Sequence, residues 1–424
     1  MHESHETHPV DPLRGGVARR TFLQWTGAAT ALSAAGLLTQ AGRAYPSESG
    51  RQVRLGVVGG GFGASFHWHE HPNCKVTGVT DLRPERRKVL RDAYRCDTVY
   101  DSLETMLKQA RDIDAVAVFS GALDHVKHTR MCMERGWHVV SACPACVTLE
   151  EAEELLEVKR KTGLRYMMAE SSYYRQEAIF ARNLYQAGGF GELYYTEAEY
   201  YHDRGDLTRL AEDRSSRFYN PDGTHSWRWG LPPMHYPTHC LAFVVGVTGE
   251  RLTEVTCYDW GAGPAHPWVA DNTYGNPYWN ETALMKTNQG HVLRCNVFWL
   301  VADSGERAQW YGDKVSLFMP KAGMYEKIAR KERTAREEPD TQLIEVPQYW
   351  KTAEMVPEAM RHGSGHGGSA VFISAEFINA LLEDREPAVN LTEALAMTVP
   401  GIVAHQSALK EGERLKVPQL KERG

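Results

Sequence analysis

The stretch "VRLGVVGGGFGASF", Val53 to Phe66, restricts the possible folds of this chain more than any other part of it. Val53–Val58 is apolar and β-branched apart from Arg54, which is the composition of a strand buried in a parallel sheet. Gly59, Gly61 and Ala64 then fall in the spacing G-x-G-x-x-G/A, with Phe62 and Gly63 inside it. A second apolar run, Lys75–Thr80, closes on Asp81, 22 positions after Gly59. Each piece has a physical reason. The first glycine permits a tight turn, and the second lets the backbone approach a diphosphate. The small third residue lets the next segment pack on the strand. A carboxylate ending the following strand accepts hydrogen bonds from ribose hydroxyls. Together they predict a dinucleotide-binding unit, with Gly59, Gly61, Phe62, Gly63, Ala64 and Asp81 as cofactor contacts. Asp81 favours NAD, because a carboxylate repels a 2′-phosphate, while Arg83, Arg86 and Arg87 leave NADP as the alternative. Ser65–Glu70 is expected to open the first helix, its N-terminus toward the phosphates. His67, His69 and His71 would then lie mostly in solvent.

The alternation continues for a further hundred residues. "LETMLKQA" and "HVKHTRMCMERG" read as helices, the latter stopped at Gly136, and "IDAVAVFS" and "WHVVSA" read as strands. "LEEAEELLEVKRKTG" is an amphipathic helix ending at Gly163, and "RYMMAES" is another strand. Such alternation predicts an α/β fold with an N-terminal Rossmann domain on a doubly wound parallel sheet, residues 47–168. Residues 169–424 form the second domain. Ligands belong beyond the carboxyl ends of the strands, which places Ser120–His125, Ala142–Pro144 and Glu170–Tyr174 around one crevice.

Composition excludes some partners. A net charge of −6 over 424 residues argues against nucleic acid. Eight cysteines scattered over this length do not make a disulfide scaffold. Before the first strand, "ARRTFLQWTGAATALSAAGLLTQAGRAYPS" has the layout of a secretory leader, with Arg19-Arg20 ahead of a short alanine-rich apolar run and small residues near Ala44. The order Arg-Arg-Thr-Phe-Leu resembles a twin-arginine signal. Residues 1–46 are therefore expected to direct export and be removed, leaving no membrane segment. That route carries folded proteins, so a nucleotide taken up in the cytoplasm would travel with the chain.

With these motifs in place, everything after the leader resembles the Gfo/Idh/MocA family of dinucleotide-dependent sugar enzymes. The resemblance implies a second α/β domain built on a large open, mainly antiparallel sheet, and a homo-oligomer formed through it. The family's usual Glu-Lys-Pro marker, with its catalytic lysine, corresponds here to Ala142-Cys143-Pro144. Its Asp-x-x-x-His marker corresponds to His235-Tyr236-Pro237-Thr238-His239. "HYPTH", "MAESSYYRQE" and "GHGGSAVFISAEFINAL" are similar to glycoside hydrolase family 109, a branch known for α-N-acetylgalactosaminidase activity that also lacks the lysine. The resemblance implies catalytic roles for Tyr236 and His239 and a substrate contact at Tyr174; His235 and His366 are further candidate substrate contacts, and the strand-end positions Ser120, His125, Cys143 and Pro144 further candidate cofactor contacts. It implies no metal, although His235 and His239 have i, i+4 spacing.

That branch hydrolyses a glycoside through a transient C3 ketone, elimination, hydration and re-reduction on one bound NAD. The expected partner is a small carbohydrate or glycoside. Two other readings remain: net sugar oxidation, with Cys143 or His235 replacing the usual groups, and sugar binding without turnover. The CxxC pair Cys143 and Cys146 and the crevice positions Gly121–Asp124 and Asn272 complete the candidates. Glu326–Asp340 reads as a solvated charged excursion.

Overall fold

The computed structural model describes residues 50–203, 207–261, 272–320, 327–330 and 340–420. The leader lies outside them. Residues 43–424 form one compact unit built on two sheets.

The first sheet contains β1 (Val53–Val58), β2 (Cys74–Thr80), β3 (Val99–Tyr100), β4 (Ala115–Val118), β5 (His138–Ser141) and β6 (Tyr166–Met168). Their order is β3-β2-β1-β4-β5-β6 and every pair is parallel. This is the doubly wound order, with its switch point between β1 and β4. The apolar runs are explained by burial on both faces: Leu55, Val57, Val79 and Ala115–Val118 are inaccessible to solvent. The connecting helices are α1 (Pro84–Tyr94), α2 (Leu103–Gln109), α3 (His125–Glu134) and α4 (Leu149–Thr162). Ser102 and Thr148 cap α2 and α4 by accepting from the N–H groups of Thr105 and Glu151. Gly163, at φ +65°, ends α4 in the left-handed conformation that glycine favours.

One expectation fails at the start of this sheet. No α-helix follows β1; two 3₁₀ turns, Phe62–Ser65 and Trp68–Glu70, take its place. The reason is Trp68, which is fully buried and stacks on Phe66 at 5.4 Å. Anchoring so large a side chain there interrupts the helical register. It also turns His71 inward, where Nε2 meets Asn379 Oδ1 at 3.1 Å, so this histidine is not solvated.

After α5 (Gln176–Gln186), the second sheet gathers β7 (Leu193–His202), β8 (Leu252–Trp260), β9 (Asn280–Thr287), β10 (Val292–Phe298), β11 (Ser304–Gly312), β12 (Val315–Phe318), β13 (Lys327–Arg330), β14 (Asp340–Leu343) and β15 (Leu415–Lys416). Its order is β14-β13-β12-β11-β7-β10-β9-β8-β15, antiparallel except for β7 with β10. Lys327–Arg330 and Asp340–Leu343 thus pair as a sheet edge where the sequence reads a solvated excursion. Between β7 and β8 come α6 (Leu207–Glu212), α7 (Thr238–Leu241) and α8 (Val245–Thr248). Two long helices, α9 (Gly365–Leu382) and α10 (Leu391–Ala408), complete the core. Pro400 and Gly401 lie inside α10, and a Cβ at Gly401 would stand 2.2 Å from Met234 O and 2.3 Å from Pro237 Cγ. Glycine there lets the Met234–Pro237 turn sit directly on the helix.

Candidate active site

The glycine turn fits a dinucleotide. Gly59 has φ +99°, and a Cβ there would lie 2.2 Å from Phe119 O. A Cβ at Gly60 would strike Arg86 O at 2.5 Å, whereas Gly61 faces nothing nearer than the Arg86 guanidinium at 3.6 Å. The turn therefore rests its closed side on the protein and leaves Gly61 accessible. Gly63 packs on Phe119 and Ala64 is half-buried on the core. The Asp81 carboxylate lies across the turn, accepting from Gly60 N–H at 2.6 Å and Arg83 N–H at 2.8 Å. With no long helix behind the turn, the diphosphate would rest on the open backbone at Gly61 and on Arg86. Asp81 would take the ribose hydroxyls.

The ends of β4 and β5 form the next wall. His125 is buried and joins them, Nδ1 to Pro144 O at 2.7 Å and Nε2 to Ser120 O at 3.1 Å. Burial lowers its pKa. His125 thus supports the crevice from behind rather than lying open in it. Ser120 Oγ contacts His128 Nδ1 at 2.9 Å. A Cβ at Gly121 would lie 2.6 Å from Trp227 Cδ1, and this close approach connects the Rossmann loops with the aromatic residues around Tyr236.

At the end of β6 sits a fully buried carboxylate, Glu170. His239 Nδ1–H donates to Glu170 Oε1 at 2.7 Å, and Ser172 N–H donates to the same oxygen at 2.8 Å. Burial by itself disfavours the charge of Glu170, but His239 outweighs it and holds the carboxyl at about 2. Burial likewise opposes a charged His239, yet Glu170 and Glu306 raise its pKa. Each partner therefore favours the charged form of the other. Its Nδ1 is committed to Glu170, so proton exchange with a ligand would use Nε2. Glu306 is itself held by Arg175 and by the Ser172 hydroxyl.

Two rings pack against His239, with Trp299 next to them. Tyr200 lies 4.6 Å and Tyr236 5.2 Å from it between centroids, and Trp299 is 6.0 Å from Tyr236. Trp227 stacks near Tyr236 at 6.5 Å and carries the Arg228 guanidinium 4.1 Å above its own ring. His366 approaches from the other side. It has φ +56°, a strained conformation for a side-chain-bearing residue, and is followed by Gly367 and Gly368, also left-handed. A Cβ at Gly368 would meet Trp350 at 2.5 Å, so the turn requires glycine. The exposed His366 ring meets Phe62 of the glycine turn at 5.5 Å.

Contacts thus link Cys143, Glu170, His239 and Tyr236 into one group, and Phe62 with His366 beside the glycine turn. Cys143 Sγ lies 3.2 Å from Glu170 Oε2 and 3.4 Å from Ala169 O. Burial, and then Glu170, raise the Cys143 pKa, so it stays a thiol; burial does the same to Cys146. Neither is the exposed thiolate of a redox CxxC. Two expected substrate contacts lie elsewhere. Tyr174 is 3% exposed and stacks on Phe372 at 5.7 Å. His235 is buried against His405 at 5.2 Å and Tyr274 at 5.9 Å, since successive side chains of the 3₁₀ turn Pro233–His235 are rotated by about 120°. Asn272 serves its own loop, accepting from Tyr274 and Asn276 N–H. Glu306, Arg175, Tyr200 and Arg228 are site residues that motif reading misses. Glu170 was placed at the crevice by its position at a strand end, but without a role.

Residues 53–170 match the model of the GFO_IDH_MocA oxidoreductase family, NAD-binding Rossmann fold. This part of the chain belongs to the Gfo/Idh/MocA family, and its cofactor is NAD. Glycosyl hydrolase family 109 proteins are similar to the chain over more of its length. One from Saccharopolyspora erythraea is 28% identical across 65% of this chain and 68% of its own. One from Stenotrophomonas maltophilia is 22% identical across 95% of each, and one from Shewanella amazonensis is 28% identical across 53% of this chain but 54% of its own. Among solved structures, levoglucosan dehydrogenase in complex with NADH and levoglucosan superposes with a TM-score of 0.66, at 15% identity, over 87% of this chain and all of that one. Scyllo-inositol dehydrogenase from Lactobacillus casei gives 0.62 at 16% identity, over 86% and 98%. The fold of these two dehydrogenases thus extends through both sheets.

Proposed function

We propose that this Gfo/Idh/MocA protein is a glycosidase that works through transient oxidation of a bound sugar. The carrying observation is the His239–Glu170 pair, closed at 2.7 Å beside Tyr236, with the Cys143 thiol where a catalytic lysine is otherwise expected. The relatives named glycosyl hydrolase family 109 support the same reading. Bound across the strand ends, NAD would take a hydride from the sugar and return it.

The chain's own groups divide the proton work. The Glu170 carboxylate steadies the protonated form of His239, so His239 Nε2 would take the sugar hydroxyl proton as the hydride leaves and give it back on re-reduction. Tyr236, its ring 5.2 Å from that of His239, is the candidate base for the C2 proton. Tyr200 and Trp299 form walls that exclude water, and Trp227 with Arg228 offers a surface for a sugar ring. A two-carboxylate hydrolase needs one carboxyl kept protonated. Here Glu170 is held ionised by His239 and Glu306 is engaged by Arg175, which speaks against that route.

Purified protein should release sugar from the right member of a glycoside panel with no added NAD. It should also exchange the C2 hydrogen with deuterated water. A requirement for a stoichiometric electron acceptor would point instead to net sugar oxidation, the reading favoured by the dehydrogenases of similar fold. Thermal stabilisation by sugar without turnover would leave a binding protein. Export through residues 1–46 with NAD already bound, and assembly through the open sheet, belong to the same proposal. Cytoplasmic retention of an Arg19→Lys/Arg20→Lys variant tests the first, and light scattering of the mature chain tests the second.

A further inference from the structure

The sequence His67-Trp68-His69-Glu70-His71 has no part in the site above. Burial of Trp68 fixes this 3₁₀ turn and sorts its neighbours. His71 goes inward to Asn379, while His67, His69 and Glu70 remain at the surface. His362, 292 residues beyond Glu70, arrives beside them from the loop that leads into α9. Glu70 lies in the middle of the group. Its Oε1 is 3.1 Å from His67 Nδ1 and 3.8 Å from His69 Nε2, and its Oε2 is 2.5 Å from His362 Nε2. The rings of His67 and His362 are 4.7 Å apart, and the ligand atoms of His67, Glu70 and His362 all lie within 4.8 Å of one another.

We propose that His67, Glu70 and His362 bind a divalent transition metal ion, with His69 or a water in the fourth position. Two or three imidazoles with one carboxylate suit zinc, cobalt, nickel or copper. Calcium and magnesium require a shell of oxygens. Bonds of about 2.1 Å place tetrahedral ligand atoms roughly 3.4 Å apart, so side-chain rotations of about an ångström close this group on an ion. Each imidazole binds in its neutral form, so the ion displaces the protons that Glu70 now shares with His67 and His362. The bound ion would clip the segment after the glycine turn to the loop four residues before His366. The two loops already meet where Phe62 touches His366 at 5.5 Å. Its role is to hold these two walls of the cleft together, outside the reacting groups.

The test uses the full chain without an affinity tag, stripped with a chelator and titrated with zinc and with cobalt. His2, His5 and His8 are residues of a metal-ligating type too, so the comparison is between wild type and His362→Ala or Glu70→Gln, all retaining them. The wild type should bind one more equivalent than either variant. It should give tetrahedral cobalt absorption bands, and its Tm should rise with zinc and fall back with EDTA. Each substitution should weaken that equivalent by about tenfold or more. The His362 side chain is 41% exposed, so His362→Ala should fold, which near-UV circular dichroism checks. Equal stoichiometry and affinity in all three proteins would overturn the proposal and leave a hydrogen-bonded triad only.

Discussion

Two buried imidazole–carboxylate pairs flank the segment Pro232–Leu241, and each closes at 2.7 Å. His239–Glu170 lies on the cleft side, among Cys143, Ser172, Tyr200 and Tyr236. His405–Glu281 lies behind the segment, with the second Glu281 oxygen accepting Met234 N–H at 2.6 Å and the His405 ring against His235. The chemistry is the same and the surroundings differ. The first pair keeps one edge toward the cleft that can receive a ligand. The second is sealed by α10 and the back of the turn, and its hydrogen bonds fix the backbone that carries Tyr236. A pair of this kind becomes a candidate for catalysis only where it has an open side.

Glu170→Gln should have the largest effect. It keeps the shape but removes the charge that holds His239 protonated, so turnover should fall about 10²–10⁴-fold. NAD carried through purification, read by mass spectrometry after denaturation, should be unchanged. Glu281→Gln should do the reverse. Glutamine keeps a single acceptor oxygen, so one of the bonds to His405 and Met234 is lost, which should cost about 1–3 kcal/mol of stability while turnover changes less than tenfold. If both variants lose turnover to the same degree at unchanged Tm, the distinction between the two pairs is wrong. Gly401→Ala probes the same backbone from the helix. Its methyl group would strike Met234 O, and overpacking of this kind should cost about 1–3 kcal/mol.

The pH dependence of the first pair follows from its two shifts. Glu170 has its pKa lowered from 4.5 to about 2, so its contribution to stability is complete above 4.5 and disappears as the pH falls toward 2. His239 has its pKa raised above 6.5, so its contribution is complete below 6.5 and is lost as the pH climbs through the raised value. Wild-type Tm minus Glu170→Gln Tm should therefore peak between about pH 4.5 and 6.5 and shrink on both sides. A difference independent of pH would show that the pair is not charged.

How much of this was readable in the sequence depended on distance along the chain. The Rossmann strand order, the glycine turn and Asp81 all follow from signals within about thirty residues. Tyr236 and His239 stand in one short motif. The Glu170–His239 pair joins residues 69 positions apart, and the Phe62–His366 contact joins residues about 300 apart, so no local pattern shows either. The missing first helix follows from the burial of a single tryptophan, which overrides a segment of ordinary helical propensity. His235 shows the opposite failure. Its place in a motif suggested the cleft, but a 3₁₀ turn sends it behind the segment.

The smallest effect should come from Cys143. It occupies the position where a lysine would make the site an ordinary dehydrogenase, so its role separates the two enzymatic readings. Its thiol is buried, uncharged and 3.2 Å from a carboxylate that is already satisfied by His239 and Ser172. An S–H group is a weak donor, and its loss leaves only a small void. Cys143→Ala should therefore keep turnover within about threefold and lower stability by about 1 kcal/mol. The measurement is kcat on the glycoside identified by the panel, with Tm alongside. A loss approaching that of Glu170→Gln would make the thiol part of the proton relay and return the protein to the oxidoreductase reading, in which Cys143 replaces the lysine.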